Sequence, residues 1–269
     1  MLIDAHHHIG HAGLHGTHSA DEVVETMTEY GIEKTVVMPI DMGDTEYQEA
    51  MLALPRFIET GARDGALVKA QEKHVDNSAV AAAVEKYPNR LIGFFWVNPW
   101  LGERAAREAE EGVRRGVCRG FKLHPILSGF PANHEVVYPI LELAKRLDVP
   151  VLFHSGLGPG AECWRIGELA DRFPDVSIVM GHAGYLGQTR DAVRIAKKTD
   201  RVMLELSAAA SLAVKWAIDE APIEQLLFGS DGPLGHPYVQ MKKIQVAEPA
   251  DETRQLILGQ NAAKLLKIR

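Results

Sequence analysis

The sequence begins with MLIDAHHHI (Met1–Ile9), in which apolar residues lead directly into three consecutive histidines. A short apolar run that ends in polar side chains is typical of a buried strand whose end lies at a functional site. Seven further short runs, rich in β-branched and other apolar residues, follow along the chain. They are KTVVMPI (Lys34–Ile40), LIGFFWVNP (Leu91–Pro99), CRGFKLHP (Cys118–Pro125), VPVLFHSG (Val149–Gly156), VSIVMGHAG (Val176–Gly184), RVMLELS (Arg201–Ser207) and QLLFGSDGP (Gln225–Pro233).

Stretches with helical periodicity separate most of these runs. They are Asp21–Tyr30, Arg104–Arg115, Val136–Leu147, Glu162–Phe173, Gln188–Lys198, Ala208–Glu220 and Asp251–Ile268. Strands that alternate with helices predict a parallel sheet, and eight of them in 269 residues favour a closed (β/α)8 barrel. Because no linker rich in glycine, proline or serine interrupts the pattern, we expect one domain over residues 1–269. The long second connection, Asp41–Asn89, is expected to hold extra helices and a substrate-facing loop at Met42–Tyr47.

Composition and charge argue against a nucleic-acid or membrane protein. Hydrophobic residues make up 46% of the chain and charged residues 24%, and the net charge of −7 disfavours polyanions and anionic membranes. The longest apolar runs have the length of strands, well short of the ~20 residues of a membrane helix. Since the chain starts at once with a strand, we expect no secretory signal and a cytoplasmic location. Cys118 and Cys163 have no partner at metal-ligand spacing and are expected to be buried thiols.

Ligand-type residues gather at the predicted strand ends. Side chains alternate faces along a strand, so His6 and His8 share one face of the first strand and His7 takes the other. Two imidazoles spaced in this way can bind one metal at ~2.0–2.1 Å. His154 and Asp231 can supply a third and a fourth ligand, because the C-terminal ends of barrel strands meet at one face. Neutral imidazoles and a carboxylate suit Zn²⁺, and also Mn²⁺, iron or cobalt.

Several other histidines are expected outside this group. His7 should point towards the helical layer, and His236, shortly after Asp231, is a candidate substrate-facing residue. Three more are expected beyond the first strand, in a loop that contains glycine: His11, His15 and His18.

The motifs DAHHHIG, GFKLHP, VLFHSG, VMGHAG and LLFGSDGP, in this order, resemble those of the amidohydrolase superfamily. The most similar branch is the amidohydrolase-related group, which includes aminocarboxymuconate-semialdehyde decarboxylase, γ-resorcylate decarboxylase and many predicted metal-dependent hydrolases. The resemblance spans all eight predicted strands. It implies a metal-dependent enzyme with the (β/α)8 fold, in which the four candidate ligands named above bind a divalent metal.

The resemblance also implies roles for two further residues. In members with one metal, the histidine at the position of His182 activates or orients the attacking water. In members with two metals, His154 and His182 bind the second ion, and a carboxylated lysine from the fourth strand bridges the pair. Lys122 lies on that strand, so both arrangements stay open. We favour one metal per chain, with zinc as the first choice and manganese or another transition metal as alternatives.

Two reactions fit these residues. Asp231 can accept the proton of an attacking water and His182 can pass a proton to the leaving group, which suits hydrolysis of an amide, lactone or ester. The same set suits non-oxidative decarboxylation of a small aromatic or unsaturated acid. We favour hydrolysis because the chain is short, whereas the resemblance implies that the decarboxylases of the family tend to be longer. The candidate residues for binding this small-molecule substrate are Lys122, His124, Trp96, Asn98, Trp164 and His236.

A third hypothesis is a barrel that has lost catalysis and acts as a binding protein. It is disfavoured, because every expected ligand position is filled. The chain also lacks the G-x-G-x-x-G and P-loop patterns of nucleotide sites and the G-x-S-x-G elbow of serine hydrolases. The sequence leaves the oligomeric state open, and a homo-oligomer is compatible with it.

Overall fold

The computed structural model describes residues 1–12, 16–42, 45–247 and 249–268. In these residues one curled sheet contains the following strands: β1 (Ile3–Ala12), β2 (Thr17–His18), β3 (Lys34–Met42), β4 (Leu91–Trp96), β5 (Gly120–Leu123), β6 (Val151–His154), β7 (Ile178–Gly181), β8 (Val202–Glu205) and β9 (Leu226–Leu227). The order across the sheet is β2-β1-β3-β4-β5-β6-β7-β8-β9. The pairs from β1 to β9 are parallel, and β2 pairs antiparallel with β1. All eight predicted strands are therefore confirmed.

The sheet closes on itself between β1 and the residues that follow β9. The amide of His8 donates to the carbonyl of Gly232 at 2.6 Å, and the amide of Asp231 donates to the carbonyl of His6 at 2.7 Å. The first and last parallel strands are thus joined by backbone hydrogen bonds, and the predicted (β/α)8 barrel is confirmed.

Helices follow most strands. The described residues contain α1 (Ala20–Glu29), α2 (Glu46–Thr60), α3 (Gly65–Glu72), α4 (Ser78–Lys86), α5 (Glu103–Arg114), α6 (Tyr138–Leu147), α7 (Cys163–Arg172), α8 (Thr189–Ala196), α9 (Ser211–Glu220), α10 (Pro237–Val246), α11 (Asp251–Gln255) and α12 (Asn261–Leu265). A π-helical turn joins α11 to α12. The helices α2, α3 and α4 are the extra helices expected in the second connection, whereas α10 was not predicted. None of the described helices is both long and apolar enough to span a lipid bilayer.

The first strand is longer than the sequence indicated. His11 belongs to β1 and His18 to β2, so these two residues form a short hairpin rather than a loop. Gly10 permits this path, because its φ is +117° and an added Cβ would lie 2.4 Å from the carbonyl oxygen of Ile40. His15 and part of the expected substrate-facing loop, Gly43 and Asp44, lie outside the described residues.

Apolar side chains fill the N-terminal half of the barrel interior. They are Ile3, Ala5, Val36, Met38, Ile92, Phe94, Leu152, Val179, Met203 and Leu227, with Ala262 and Leu266 from the C-terminal helical segment. The opposite faces of the strands pack against the helices in a larger apolar cluster, which also contains Cys118 and Cys163. Both cysteines are buried free thiols, as expected. Because the apolar layer closes one end of the barrel, polar residues that continue the same strand faces are directed to the C-terminal end.

Candidate active site

The side chains of the candidate site continue the interior faces of the strands. Two residues beyond Phe94, Leu152 and Met203 along β4, β6 and β8 lie Trp96, His154 and Glu205, respectively. Lys122 pairs with Trp96 on β4 and with Leu152 on β6, so its side chain shares their interior face of the sheet. The period of two along β4, β6 and β8 therefore converts an apolar layer into a polar layer within one step, whereas on β1 a register shift between Asp4 and His7 separates Ala5 from His6.

Three of the four predicted metal ligands lie within contact distance of one another. The Nε2 atoms of His6 and His8 are 3.2 Å apart, and the Oδ1 atom of Asp231 is 3.5 Å from the first and 3.3 Å from the second. A metal held at about 2.1 Å by tetrahedral donors keeps those donors about 3.4 Å apart. The spacing of the three atoms therefore fits a divalent metal ion.

The hydrogen bonds of the two imidazoles support the same conclusion. The Nδ1 atom of His6 lies 2.7 Å from the carboxylate of Glu205, and the Nδ1 atom of His8 lies 3.2 Å from the carbonyl oxygen of Pro39. When the Glu205 carboxylate and the Pro39 carbonyl accept the Nδ1 protons, each neutral ring presents an unprotonated Nε2 to Asp231. Two lone pairs and a carboxylate that face one point form a donor set that a divalent metal ion would satisfy.

Glu205 was missed in the sequence, although it lies at the centre of this network. Besides His6, its carboxylate accepts the hydroxyl and the amide of Ser207 at 2.8 and 2.6 Å and the amide of His182 at 3.3 Å. Burial raises the pKa of Glu205 to about 8, and the hydrogen bonds from Ser207 and from the His182 amide act against this rise. Glu205 fixes the ring of His6 and the backbone that carries His182.

His154, the remaining predicted ligand, is not part of this group of donors in the described residues. Its Nδ1 atom lies 3.2 Å from Nε2 of His182, whose own Nδ1 lies 3.0 Å from the hydroxyl and 3.3 Å from the carbonyl oxygen of Ser207. If the Nδ1 proton of His182 is donated to Ser207, its Nε2 accepts the Nδ1 proton of His154. The Nε2 atom of His154 then carries a lone pair, and it is buried with no hydrogen-bond partner among the described residues.

Lys122 places a buried amine beside the metal ligands. Its Nζ atom lies 3.3 Å from Nε2 of His6. Burial lowers the pKa of Lys122 to about 8, and the carboxylates of Asp231 and Glu205 oppose this effect. The amine is therefore mostly cationic at neutral pH and can attract an anionic oxygen of a substrate.

A cavity of about 280 Å³ opens onto these groups from the C-terminal end of the barrel. Trp96, His124 and His154 form a stack of nearly parallel rings along one wall, with ring centroids 5.5 and 4.1 Å apart. The cavity is lined by His8, Ile40, Tyr47, Gln48, Trp96, Lys122, His124, Leu127, His154, Leu157, His182, Tyr185, Asp231 and Leu234. Flat rings on the wall and charged groups at the base favour a small planar ligand that carries an acidic group.

Three of the predicted substrate residues are not among the described residues that line this cavity. Asn98 donates its side-chain amide to three backbone carbonyls near α3 and accepts the amide of Trp100. Trp164 is half exposed at the start of α7 and stacks against Arg165. His236 caps α10 by accepting the amide of Tyr238. Asn98 and His236 therefore have structural uses in the connections that follow their strands.

His7 also differs from its expected position. Its Nδ1 atom lies 3.0 Å from the hydroxyl of Ser230 and 3.5 Å from the carboxylate of Asp4. Gly232 leaves room for the ring, because an added Cβ there would lie 2.2 Å from it. His7 therefore supports the junction of β1 with the residues after β9 instead of pointing into the helical layer.

The backbone at the strand ends adopts conformations that L-residues rarely take. Three non-glycine residues after β7 have positive φ, namely His182 at 68°, Ala183 at 44° and Tyr185 at 59°, and Asp231 after β9 has φ of 54°. Each such residue costs on the order of 1–3 kcal/mol and persists only where surrounding contacts hold it. Strain of this kind clusters at functional sites, and here it falls on two residues predicted to be catalytic.

Burial and neighbouring charges set the protonation states of Asp231 and His182 at neutral pH. Burial alone would raise the pKa of Asp231, but electrostatic interactions with His182, His8 and Lys122 lower it below its usual range. Burial lowers the pKa of His182 to about 4. At neutral pH the site therefore combines an ionised carboxylate with a neutral imidazole, and both can accept a proton.

Acid is expected to destabilise the metal-free protein, because five buried histidines cannot take up protons as the unfolded chain does. Burial lowers the pKa of each below 6.5, so the unfolded state binds more protons below that pH. They are His6, His8, His124, His154 and His182. Each contributes stability that is lost on acidification, by up to about 1.4 kcal/mol per pH unit. The raised pKa of Glu205 favours the folded state on acidification, but this is the effect of one group and five histidines act against it.

The measurement is the Tm of chelator-treated protein between pH 7.5 and 5. We expect Tm to fall as the pH decreases below about 6.5, and to fall less steeply in His182→Asn, which has lost one of the five groups. The exposed His11 offers a control, since His11→Asn should leave the slope unchanged. A Tm that stays level or rises on acidification would contradict the described burial of the cluster.

Comparison with known proteins agrees with this architecture. 2,6-Dihydroxybenzoate decarboxylase from Rhizobium has 18% identity and a TM-score of 0.69, over 99% of this chain and 98% of that chain. 5-Carboxyvanillate decarboxylase from Novosphingobium aromaticivorans, complexed with manganese and 4-hydroxy-3-methoxy-5-nitrobenzoic acid, has 16% identity and a TM-score of 0.71, over 100% and 96%. A probable 2-pyrone-4,6-dicarboxylic acid hydrolase from Acinetobacter baumannii, with citric acid bound, has 16% identity and a TM-score of 0.70, over 99% of both chains.

At these identities the structural likeness concerns the fold. A comparison with curated protein sequences found no match. The sequence model of the amidohydrolase family matches residues 3–268. Because that match extends over nearly the whole chain, the protein belongs to the amidohydrolase family of enzymes.

Proposed function

We propose that the protein is a metal-dependent hydrolase that cleaves an amide, lactone or ester bond of a small planar acid. The observation that carries the proposal is the group of three donor atoms from His6, His8 and Asp231, which lie 3.2–3.5 Å apart beside a cavity with aromatic walls. A divalent metal held there supplies Lewis-acid chemistry, because it polarises a bound oxygen and makes water more acidic. The unpartnered Nε2 of His154 supports this residue as the fourth ligand.

The residues of the chain account for the movement of protons in hydrolysis. The water oxygen adds to the carbonyl carbon, and the water proton goes to the ionised carboxylate of Asp231. His182 is held at Nδ1 by Ser207, so its neutral Nε2 can take that proton from Asp231 and deliver it to the departing nitrogen or oxygen. Lys122 stabilises negative charge on the substrate. Asp231 and His182 can accept protons and Lys122 is cationic, and this combination suits a reaction that begins by deprotonating water.

Decarboxylation is the second candidate, and the stacked rings of Trp96 and His124 favour it, because a flat wall suits an aromatic or unsaturated acid. In this reaction the bond to the carboxylate breaks, CO₂ leaves, and the ring carbon takes a proton from an acid of the site. We expected hydrolysis because the chain is short. The structural comparison does not support this argument, because the matches cover 98% and 96% of the two decarboxylase chains.

We propose one metal per chain. The donor set accepts zinc or manganese, and the 5-carboxyvanillate decarboxylase is complexed with manganese. In the alternative with two metals, His154 and His182 would share the second ion, and their 3.2 Å separation also fits that arrangement. Elemental analysis of the purified protein is expected to give a metal-to-chain ratio near one. A ratio near two would support the alternative, with Lys122 as a carboxylated bridge, and no uptake of zinc or manganese would contradict both.

Isotope labelling separates the two reactions on a panel of lactones, amides and aromatic carboxylates. In H₂¹⁸O, hydrolysis places one ¹⁸O in the new carboxylate, and mass spectrometry detects it. In D₂O, decarboxylation places one deuterium on the carbon that has lost CO₂. Incorporation of ¹⁸O that disappears in Asp231→Asn supports the hydrolase. Deuterium incorporation without ¹⁸O overturns it in favour of the decarboxylase.

A further inference from the structure

Tyr47 brings a hydroxyl group to the cavity that none of the preceding roles uses. It lies in the first turn of α2 and packs partly buried against Trp96 and Leu127. Its ring meets the rings of His124 and His154 edge to face, with centroids 6.0 and 6.4 Å away. Tyr47 therefore lies beside the edges of the stacked rings, next to His124 and His154.

The hydroxyl of Tyr47 is buried and has no hydrogen-bond partner among the described residues. A buried polar group without a partner is costly, and most such groups in folded proteins are paired. Among the described residues, the side chains packed against the Tyr47 ring are mainly apolar or aromatic, and Tyr47 is one of the residues that line the cavity. An oxygen of a bound ligand would satisfy this hydroxyl.

The group acts as a donor. Burial raises the pKa of Tyr47 to about 12, so the hydroxyl keeps its proton at neutral pH. The cavity then has two places that attract ligand oxygen atoms, namely the metal ligands with Lys122 at its base and the hydroxyl of Tyr47 on the His124 side. A ligand that satisfies both carries two oxygen functions, and the stacked rings of the wall suit a flat ring between them.

We propose that Tyr47 is a substrate-binding residue whose hydroxyl donates to a second oxygen acceptor of the ligand, so that the site selects ring dicarboxylates over monocarboxylates of the same size. This inference rests on the proposed function for the position of the first acidic group. Tyr47 would then determine the specificity for the second acidic group of the ligand.

The test compares two pairs of probes of similar size. Benzene-1,3- and benzene-1,4-dicarboxylate offer a second acceptor, whereas 3- and 4-methylbenzoate replace it by a methyl group. Affinities are measured by calorimetry for the wild-type protein and for Tyr47→Phe, in metal-loaded and in chelator-treated samples. Tyr138→Phe is the matched control, because Tyr138 lies in α6 against Phe173, outside the cavity.

At least one dicarboxylate should bind the wild-type protein more tightly than its methylbenzoate, and Tyr47→Phe should weaken that dicarboxylate about tenfold. The methylbenzoates should bind both proteins equally, and Tyr138→Phe should change nothing. Equal weakening of both kinds of probe, or no preference for a dicarboxylate in the wild type, overturns the assignment. The binding test needs no turnover, so a selective Tyr47→Phe effect stands even where the isotope experiment rejects hydrolysis.

Thermal unfolding of the ligand-free protein separates this role from a structural one. If the hydroxyl is unpartnered, its removal in Tyr47→Phe should leave Tm unchanged or raise it. A fall of several degrees would show that the hydroxyl is bonded within the folded protein, and it would overturn the proposal.

Discussion

Asp231→Asn is expected to reduce turnover at least about a thousandfold and to weaken metal binding. Asparagine keeps the shape of the side chain but removes the negative charge that faces Nε2 of His6 and His8 at 3.5 and 3.3 Å. It also removes the proton acceptor proposed for the attacking water. The measurements are kcat/KM on the best substrate of the panel and the metal-to-chain ratio after dialysis.

The matched control for this variant is Asp200→Asn, because the side chain of Asp200 is 94% exposed and lies near the start of β8, at the opposite end of the barrel. It should have the wild-type rate and metal content. Full metal occupancy together with a wild-type rate in Asp231→Asn would reject Asp231 both as a ligand and as the proton acceptor.

His182→Asn is expected to retain the metal and to lose most of the rate, by about a hundredfold to ten-thousandfold. The asparagine amide can still donate to Ser207, so the fold of the loop after β7 should persist, but the titratable Nε2 is gone. kcat should fall more than KM changes, since the group moves a proton and does not anchor the substrate.

Metal content gives the second measurement on His182→Asn and distinguishes the two metal arrangements. An unchanged ratio near one supports a role in proton transfer. A ratio that drops from two to one would instead make His182 a ligand of a second ion. His74→Asn is a suitable control, because His74 contacts Glu108 on the outside of the barrel.

The sequence allowed prediction of the eight parallel strands and of the residues that end them, because short apolar runs alternate with helical stretches and polar side chains end the runs. The alternation that grouped His6 with His8 corresponds to the side-chain directions found in β1. The same alternation places Glu205 beside Met203 on the interior face of β8. The sequence therefore contained a signal for Glu205, namely one acidic residue in the apolar strand RVMLELS.

Residues beyond the strand ends could not be placed in this way. Asn98 and Trp164 follow their strands in segments whose path depends on backbone hydrogen bonds and on packing between connections, and periodicity carries no information on these. His236 acts as a helix cap for α10, a helix that the pattern did not reveal. The position of Tyr47 over the cavity depends likewise on the packing of α2 against Trp96 and Leu127.

The junction of β1 with the residues after β9 has a consequence for the order in which the protein is made. Asp4 and Ser230, which bond across this junction, are 226 residues apart in sequence. At about 5–20 residues per second, the ribosome needs roughly 10–45 s to make the second partner after the first. During this time His6 and His8 have been synthesised and Asp231 has not. A newly made chain therefore acquires the three-donor site only when the barrel closes, and an ion bound there would hold the two ends of the fold together.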